Sequence, residues 1–188
     1  MHDDDDNRLL QNFQRGDEAA YSTLVGRFQE RIFRLAWQMT GDATLAEEAT
    51  AQVLVKLWTR AGQWSGEAGA RTWIFRMAVR TTLDVQRSQH RWWRRWASGS
   101  MAAIDVQADP AFMAQNAEQH QLETDRLQAA LDRLAPSDRA LVHLYYYEDR
   151  NLGEIEGILG VGRDALKARL ARARKRLRRV WDADLPTE

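Results

Sequence analysis

The sequence predicts an all-α protein of two small helical domains joined by a flexible acidic linker. Three observations carry that expectation. Proline occurs only three times in 188 residues, whereas Ala, Leu, Arg, Glu and Gln, all good helix formers, abound. Apolar residues recur at helical spacing over long stretches, interrupted by Gly-Asp pairs and by loops that carry glycine or proline. A formal net charge of zero hides blocks of opposite sign. Arg163 to Arg179 holds nine Lys and Arg against the single Asp164, while Ala97 to Asp125 holds five acids and no Lys or Arg. Between that acidic stretch and the first half, Gln86 to Trp96 carries four arginines and no acid.

A short helix is expected over Asn7 to Arg15, stopped by Gly16. Asp17 then caps a second helix to about Thr40, whose stripe is Tyr21, Leu24, Val25, Phe28, Ile32, Leu35, Ala36 and Met39. Gly41-Asp42 repeats the stop and the cap. The third helix, about Ala43 to Arg60, buries Leu45, Ala49, Val53 and Leu57 and presents Glu48, Gln52 and Lys56 on its other side. A loop from Trp64 to Gly69 leads into a long helix from Ala70 to Arg91 or beyond. Ser98-Gly99-Ser100 and Asp109-Pro110 mark a linker without sustained periodicity. Helices resume near Gln121, break at Ala135-Pro136-Ser137, and continue over Asp138 to Tyr147. The domains are thus expected at 1–96 and 121–182, with the linker at 97–120.

Several classes of function are excluded at this level. With no cysteine there is neither a disulfide framework nor a thiolate metal site, which suits a reducing cytoplasm. The four histidines show no ligand spacing, so no metal and no cofactor are expected. No apolar run reaches membrane-spanning length, and the aspartate-rich N-terminus is the opposite of a signal peptide. No phosphate-binding glycine loop or nucleophile motif is present, and Glu47-Glu48 lies on an exposed helix face, so no enzyme is expected.

The C-terminal pattern is more specific. Asn151-x-x-Glu154 is a capping box that opens a short helix, Gly160-Val161-Gly162 makes a turn, and a basic helix follows. That is the helix-turn-helix arrangement. Leu166, Leu170, Ala173 and Leu177 fall on one face and should pack inward. Lys167, Ala168, Ala171 and Arg172 form an adjoining stripe able to reach base edges in a major groove. Arg163, Arg169, Arg174 and Lys175 flank it, placed for phosphates. An arginine-rich surface helix and a basic membrane-surface helix are the competing readings. The narrow apolar face disfavours the membrane one.

These residues resemble the extracytoplasmic-function group of bacterial sigma factors. Ala130-Leu131 through Leu134-Ala135-Pro136 to Arg139 is similar to that group's AL-x-x-LP-x-x-x-R. Ile158-Leu159-Gly160-Val161 with Leu166-Lys167-Ala168-Arg169-Leu170 and Arg172-Ala173-Arg174 resembles ILGIS-x-GTVKSRL-x-RAR. Ala46-Glu47-Glu48 to Lys56-Leu57-Trp58, and Thr72-Trp73-Ile74 through Asp84 to Arg87, match two further motifs in the right order. The resemblance implies that Glu48, Gln52 and Lys56 dock on core RNA polymerase. It implies that Trp64, Ser65 and Gly66, with Arg71, Trp73, Arg76, Arg80, Asp84 and Arg87, bind the melted non-template strand of the minus-ten element. Lys167, Ala168, Ala171 and Arg172, flanked by Arg163 and Arg174, would read the minus-thirty-five element in duplex promoter DNA, and an anti-sigma factor would hold the protein inactive.

Some positions depart from the group's pattern. Ala51 and Gln52 stand where Gln and Glu are frequent, Arg80 where Asn is common, Glu156 where a small alanine is usual, and Gly162 where Ser caps the last helix. Glu156 must turn outward or pair with an arginine of the next helix, and a less stable C-terminal domain is expected. A stand-alone helix-turn-helix regulator and a sigma mimic that titrates a regulator are the alternative functions. Trp37, Trp58 and Trp73 are expected in the core. Trp92, Trp93 and Trp96 fit a helix end, a nucleic-acid contact or a docking patch equally well.

Overall fold

Gly16 and Gly41, both with positive φ, separate three helices at the expected points. The structure is a computed structural model that describes residues 2–97 and 128–183. The first helix, α1 (His2–Gln14), begins five residues earlier than expected, because the aspartates form its first turns, where carboxylates suit the positive end of a helix. Asp17 caps α2 (Glu18–Thr40) by accepting from the Ala19 and Ala20 N–H groups at 3.0 and 3.2 Å. Gly41 ends it in the left-handed conformation, its N–H bonded to the Trp37 carbonyl. Asp42 caps α3 (Ala43–Arg60) through the Leu45 N–H at 3.0 Å. A 3₁₀ turn (Ala61–Gln63) and a loop lead to α4 (Ala70–Ala97).

The second half holds a helical stretch at 128–132, then α5 (Pro136–Tyr146), α6 (Leu152–Leu159) and α7 (Arg163–Ala183). Proline at the first position of α5 costs nothing, since its missing N–H would lack an intrahelical partner anyway. Of the linker expected at 97–120, Ala97 is the last residue of α4, and residues 98–127, with the start of the helix expected from Gln121, lie outside the described residues.

Leu24, Phe28, Ile32, Leu35, Ile74 and Phe75 are fully buried where α2 crosses α3 and α4. The Phe28 and Phe75 rings meet edge to face at 6.1 Å. The two halves are not separated: α5 packs on α2, α6 packs on α4, and the apolar core runs continuously from Leu24 to Leu166.

Two arginines stitch that seam, Arg139 buried and Arg31 half-buried. Arg139 of α5 donates to the Met39 carbonyl at the end of α2 (2.7 Å) and to Asp132 (2.9 Å). Arg31 of α2 donates to Glu148, which sits in the α5–α6 corner with its side chain only 6% exposed. The Arg31 guanidinium also lies over both the Phe28 and Phe75 rings at 5.3 Å. His143 Nε2 stands 3.8 Å from Glu148, beyond hydrogen-bond distance but within ion-pair reach when the ring is protonated.

Burial pushes the Glu148 carboxyl up, but the His143 ring and the Arg31 guanidinium together outweigh it and leave it below the usual carboxylate range. A carboxylate depressed on folding contributes stability at pH values above its unfolded pKa and loses it as pH falls through the folded value. Urea midpoints are therefore expected to fall in the mildly acidic range, below about pH 5. Part of that fall should vanish in Glu148→Gln. An identical pH profile for the two proteins would exclude Glu148 as a source.

Candidate nucleic-acid interface

The helix-turn-helix forms as its sequence dictates. The Asn151 side chain accepts from the Gly153 and Glu154 N–H groups at 2.9 and 3.1 Å, and the Glu154 carboxylate accepts from the Asn151 N–H at 2.8 Å. Both halves of the capping box are thus made. Gly160 turns the chain at φ 68°, a conformation that a Cβ would strain. Glu156 does pair with the next helix, accepting from Arg163 Nε at 3.1 Å.

Along α7, Leu166, Leu170 and Ala173 are buried and Leu177 is half-buried, which fixes the opposite face outward. Lys167, Ala168, Ala171 and Arg172 are all exposed and form one continuous stripe. Lys167 is loosely paired with Asp164 at 3.6 Å. Among the flanking cations, Arg169 lies 3.8 Å from Asp138. Arg174 is drawn back toward α5, donating to the Tyr146 hydroxyl at 2.6 Å and lying over the Tyr145 and Tyr146 rings. Beside it an open apolar groove separates α5 from α7, lined by Leu131, Val142, Tyr146, Tyr147 and Leu177.

The first half presents a second face. Trp64 is 6% exposed, and its indole N–H donates to the Ala68 carbonyl at 2.7 Å. Gln14 of α1 donates to the Ala61 and Trp64 carbonyls, and the Asn7 side chain accepts from the Ala70 N–H that starts α4. The loop is therefore pinned at both ends, and only its tip, Ser65, Gly66 and Glu67, is exposed. Trp64 thus faces inward and shapes the loop. Gly66 has φ 84°, which frees that tip from side-chain constraint.

The arginines of α4 differ in their surroundings. Arg71 is held by Asp6, which is 1% exposed, accepts from Arg71 Nη2 at 2.7 Å and also pairs with Arg27 at 2.8 Å. Arg76 donates through Nε to the Gly157 carbonyl of α6 at 2.6 Å. Arg80 is exposed, and Arg87 is exposed beside Asp84 at 3.3 Å. Trp73 is half-buried against the core. Trp92, Trp93 and Trp96 lie outside the residues whose side chains are described.

On α3, Gln52 donates to Glu48 at 3.0 Å, whereas Lys56 turns inward and donates to Thr81 at 2.9 Å. The large apolar residues that α3 leaves outside are Val55, 62% exposed, and Trp58, 45% exposed. Trp58 was expected in the core. It instead leans on Phe13 and Tyr21, with ring centroids 5.1 and 4.8 Å away, and keeps one face in solvent. Val55 and Trp58 lie three residues apart, opposite the Val53 and Leu57 stripe. That spacing is the one signal from which this outer face could be read.

Comparison with known proteins adds a second line. The sigma-70 region 2 family matches residues 24–94, and the sigma-70 region 4 family matches residues 124–177. The ECF RNA polymerase sigma factor SigK of Mycobacterium ulcerans is 28% identical over 96% of this chain and 95% of its own length. The SigK of Mycobacterium tuberculosis is 26% identical over 93% and 92%. Among solved structures, CnrH in complex with the cytosolic domain of CnrY superposes with a TM-score of 0.70 at 20% identity, covering 95% of this chain and 98% of that one. The sigma factor RpoE of Bartonella quintana, in complex with the anti-sigma factor NepR, gives 0.69 at 15% identity, covering 87% and 98%.

Proposed function

Because this chain belongs to the sigma-70 family, in its extracytoplasmic-function group, we propose that it acts as an alternative sigma factor, controlled by an anti-sigma factor, that brings core RNA polymerase to its promoters and opens them. The observation that supports this reading is two separate exposed surfaces in one chain, each with the chemistry to meet nucleic acid. One is the exposed stripe Lys167, Ala168, Ala171 and Arg172 on a capped helix-turn-helix, suited to duplex DNA. The other is the glycine tip at Ser65–Glu67 together with Arg80 and Arg87 further along α4, suited to a single strand with a base out of the stack. The protein contributes binding rather than catalysis, and it works in the cytoplasm, where the polymerase is. The partner class follows the solved relatives, one of which is bound to an anti-sigma factor.

The outer face of α3 is the polymerase contact. Glu48 and Gln52 supply its polar rim, and Val55 and Trp58 supply the apolar centre on which binding energy concentrates. Trp58→Ala is expected to weaken core binding by roughly 30-fold, as for a hot spot worth about 2 kcal/mol. Val55→Glu should do the same without moving the melting temperature, since Val55 is 62% exposed. Titration of labelled core with each variant measures this, and unchanged affinity in both would exclude α3 as the contact.

The direct test of the function is pull-down of purified bacterial core polymerase with this chain, followed by transcription from a pool of promoter fragments. Binding with selective initiation is expected. Binding without initiation would point to a mimic that titrates a regulator. Duplex binding without polymerase binding would point to a stand-alone regulator.

A further inference from the structure

We propose that Glu156 is a positioning residue for promoter binding: with Gly153 it seats the Arg163 guanidinium on α6, where Arg163 grips a backbone phosphate of the duplex and fixes the register of α7. This role rests on the reading of α6 and α7 as the duplex-binding helix-turn-helix.

The direction of the Arg163 side chain is the first observation. Arg163 and Lys167 are four residues apart and so lie on one face of α7. An extended Arg163 would lengthen the base-reading stripe. It instead folds back across the turn, and its Nε donates to Glu156 Oε2 on α6 at 3.1 Å.

Gly153 forms the other wall of the seat, three residues before Glu156 and on the same side of α6. Glycine within a helix is less favourable than alanine, and the φ of Gly153 is not in the left-handed region, so its backbone does not call for glycine. Close approach does. A Cβ there would lie 2.9 Å from Arg163 Nη2 and 3.3 Å from Arg163 Cζ. It would also crowd the capping Asn151 Oδ1 at 3.1 Å, so glycine serves the cap and the seat alike.

The place of the guanidinium decides its chemistry. In a helix-turn-helix the second helix enters the major groove, while the first crosses the sugar-phosphate backbone. A guanidinium seated on α6 therefore meets phosphate rather than base edges. Glu156 takes the Nε–H, and the donors on the two Nη atoms suit an anion. Arg163 and Glu156 are 64% and 43% exposed, so a duplex can reach them. An exposed pair holds a side chain only loosely. Its effect is preorganisation: Arg163 already rests on α6 when the duplex arrives, and less side-chain freedom is lost on contact.

Glu156 also brings a negative charge toward DNA, which by charge alone weakens binding. Positioning and charge thus call for opposite results. Fluorescent promoter duplexes that differ in the upstream element are titrated with holoenzyme, assembled from core polymerase and the full-length chain, over a range of salt. Arg163→Ala is expected to weaken binding about 10-fold for every upstream sequence and to lower the salt slope by about one. Glu156→Ala should weaken it about 3-fold, and should add nothing once Arg163 is alanine. Glu156→Gln keeps an acceptor for the Nε–H and should bind as wild type does.

Lost preference at a single base pair in Arg163→Ala would make Arg163 a base reader and overturn the inference. Tighter binding by both Glu156 variants would do so too, by leaving charge alone. So would a loss in Glu156→Ala that persists without Arg163 and comes with a lower melting temperature. If the Lys167→Ala, Arg172→Ala protein still uses the upstream element, the helix-turn-helix reading falls as well. If that protein fails there while Glu156→Ala binds as wild type does, only the positioning role falls.

Discussion

Replacing Lys167 and Arg172 together by alanine is expected to reduce initiation from promoters that depend on the upstream element by on the order of 100-fold, with core binding unchanged. Both residues are exposed on α7, five residues or about 1.4 turns apart, with Ala168 and Ala171 between them. The small alanines let the helix approach the groove floor, and the two cations are long enough to reach guanine edges or the phosphates beside them. Neither packs against the domain: the inward positions are Leu166, Leu170 and Ala173. The double variant should therefore melt at the wild-type temperature. If polymerase binding is lost instead, the two halves have been given the wrong roles. Abortive transcription from matched templates with and without the upstream element separates these outcomes.

The second large effect falls on a residue that looks dispensable. Asp6→Ala is expected to destabilise the N-terminal half by about 3 kcal/mol, because removing one partner of a buried ion pair leaves the other charge desolvated. Asp6 is 1% exposed and bridges Arg27 of α2 and Arg71 of α4. Asp4 and Asp5, exposed in the same run, should change stability by less than about 0.5 kcal/mol when replaced. Urea unfolding of the three single variants checks the contrast. Equal small effects would mean that Asp6 is not the hub the geometry describes.

That contrast shows where the sequence is legible. Asp17, Gly41, Asp42 and the Asn151–Glu154 box act on backbone groups within three or four residues, so α2, α3 and α6 can be placed from the chain alone. The exposed stripe on α7 follows in the same way, because Lys167 is one residue from Leu166 and Arg172 two from Leu170, about 100° and 200° round the helix from that buried row. Asp6 is different: its partners lie 21 and 65 residues away, and a run of four aspartates at a terminus looks like a solvated tail. Arg31 and Glu148 are 117 residues apart. No local pattern announces such pairs.

The aromatic residues show a related limit. Leu57 and Trp58 are adjacent, and here the smaller side chain takes the core position while the indole rests on Phe13 and Tyr21 from α1 and α2. At Trp64 two nearby glycines suggest an open loop around a captured base. The structure instead uses the indole to hold that loop, with α1 fastening both of its ends. Which apolar residue fills a gap depends on the partner helix, and that partner is set by tertiary packing.

The seam between the halves also sets a scale for any competitor. Two modules carried on one chain meet at an effective concentration that reaches about the millimolar range. A contact with a dissociation constant near 1 mM between separate domains would therefore already keep roughly half the molecules closed. Each tenfold change in the closing equilibrium takes only about 1.4 kcal/mol, the size of one hydrogen bond made or lost. With Arg31, Arg76 and Arg139 each bridging the halves, the closed fraction lies within reach of single-residue adjustment. Exchanging residue 148 or 157 alone is then expected to change how tightly the two halves hold together, with the DNA-reading stripe untouched.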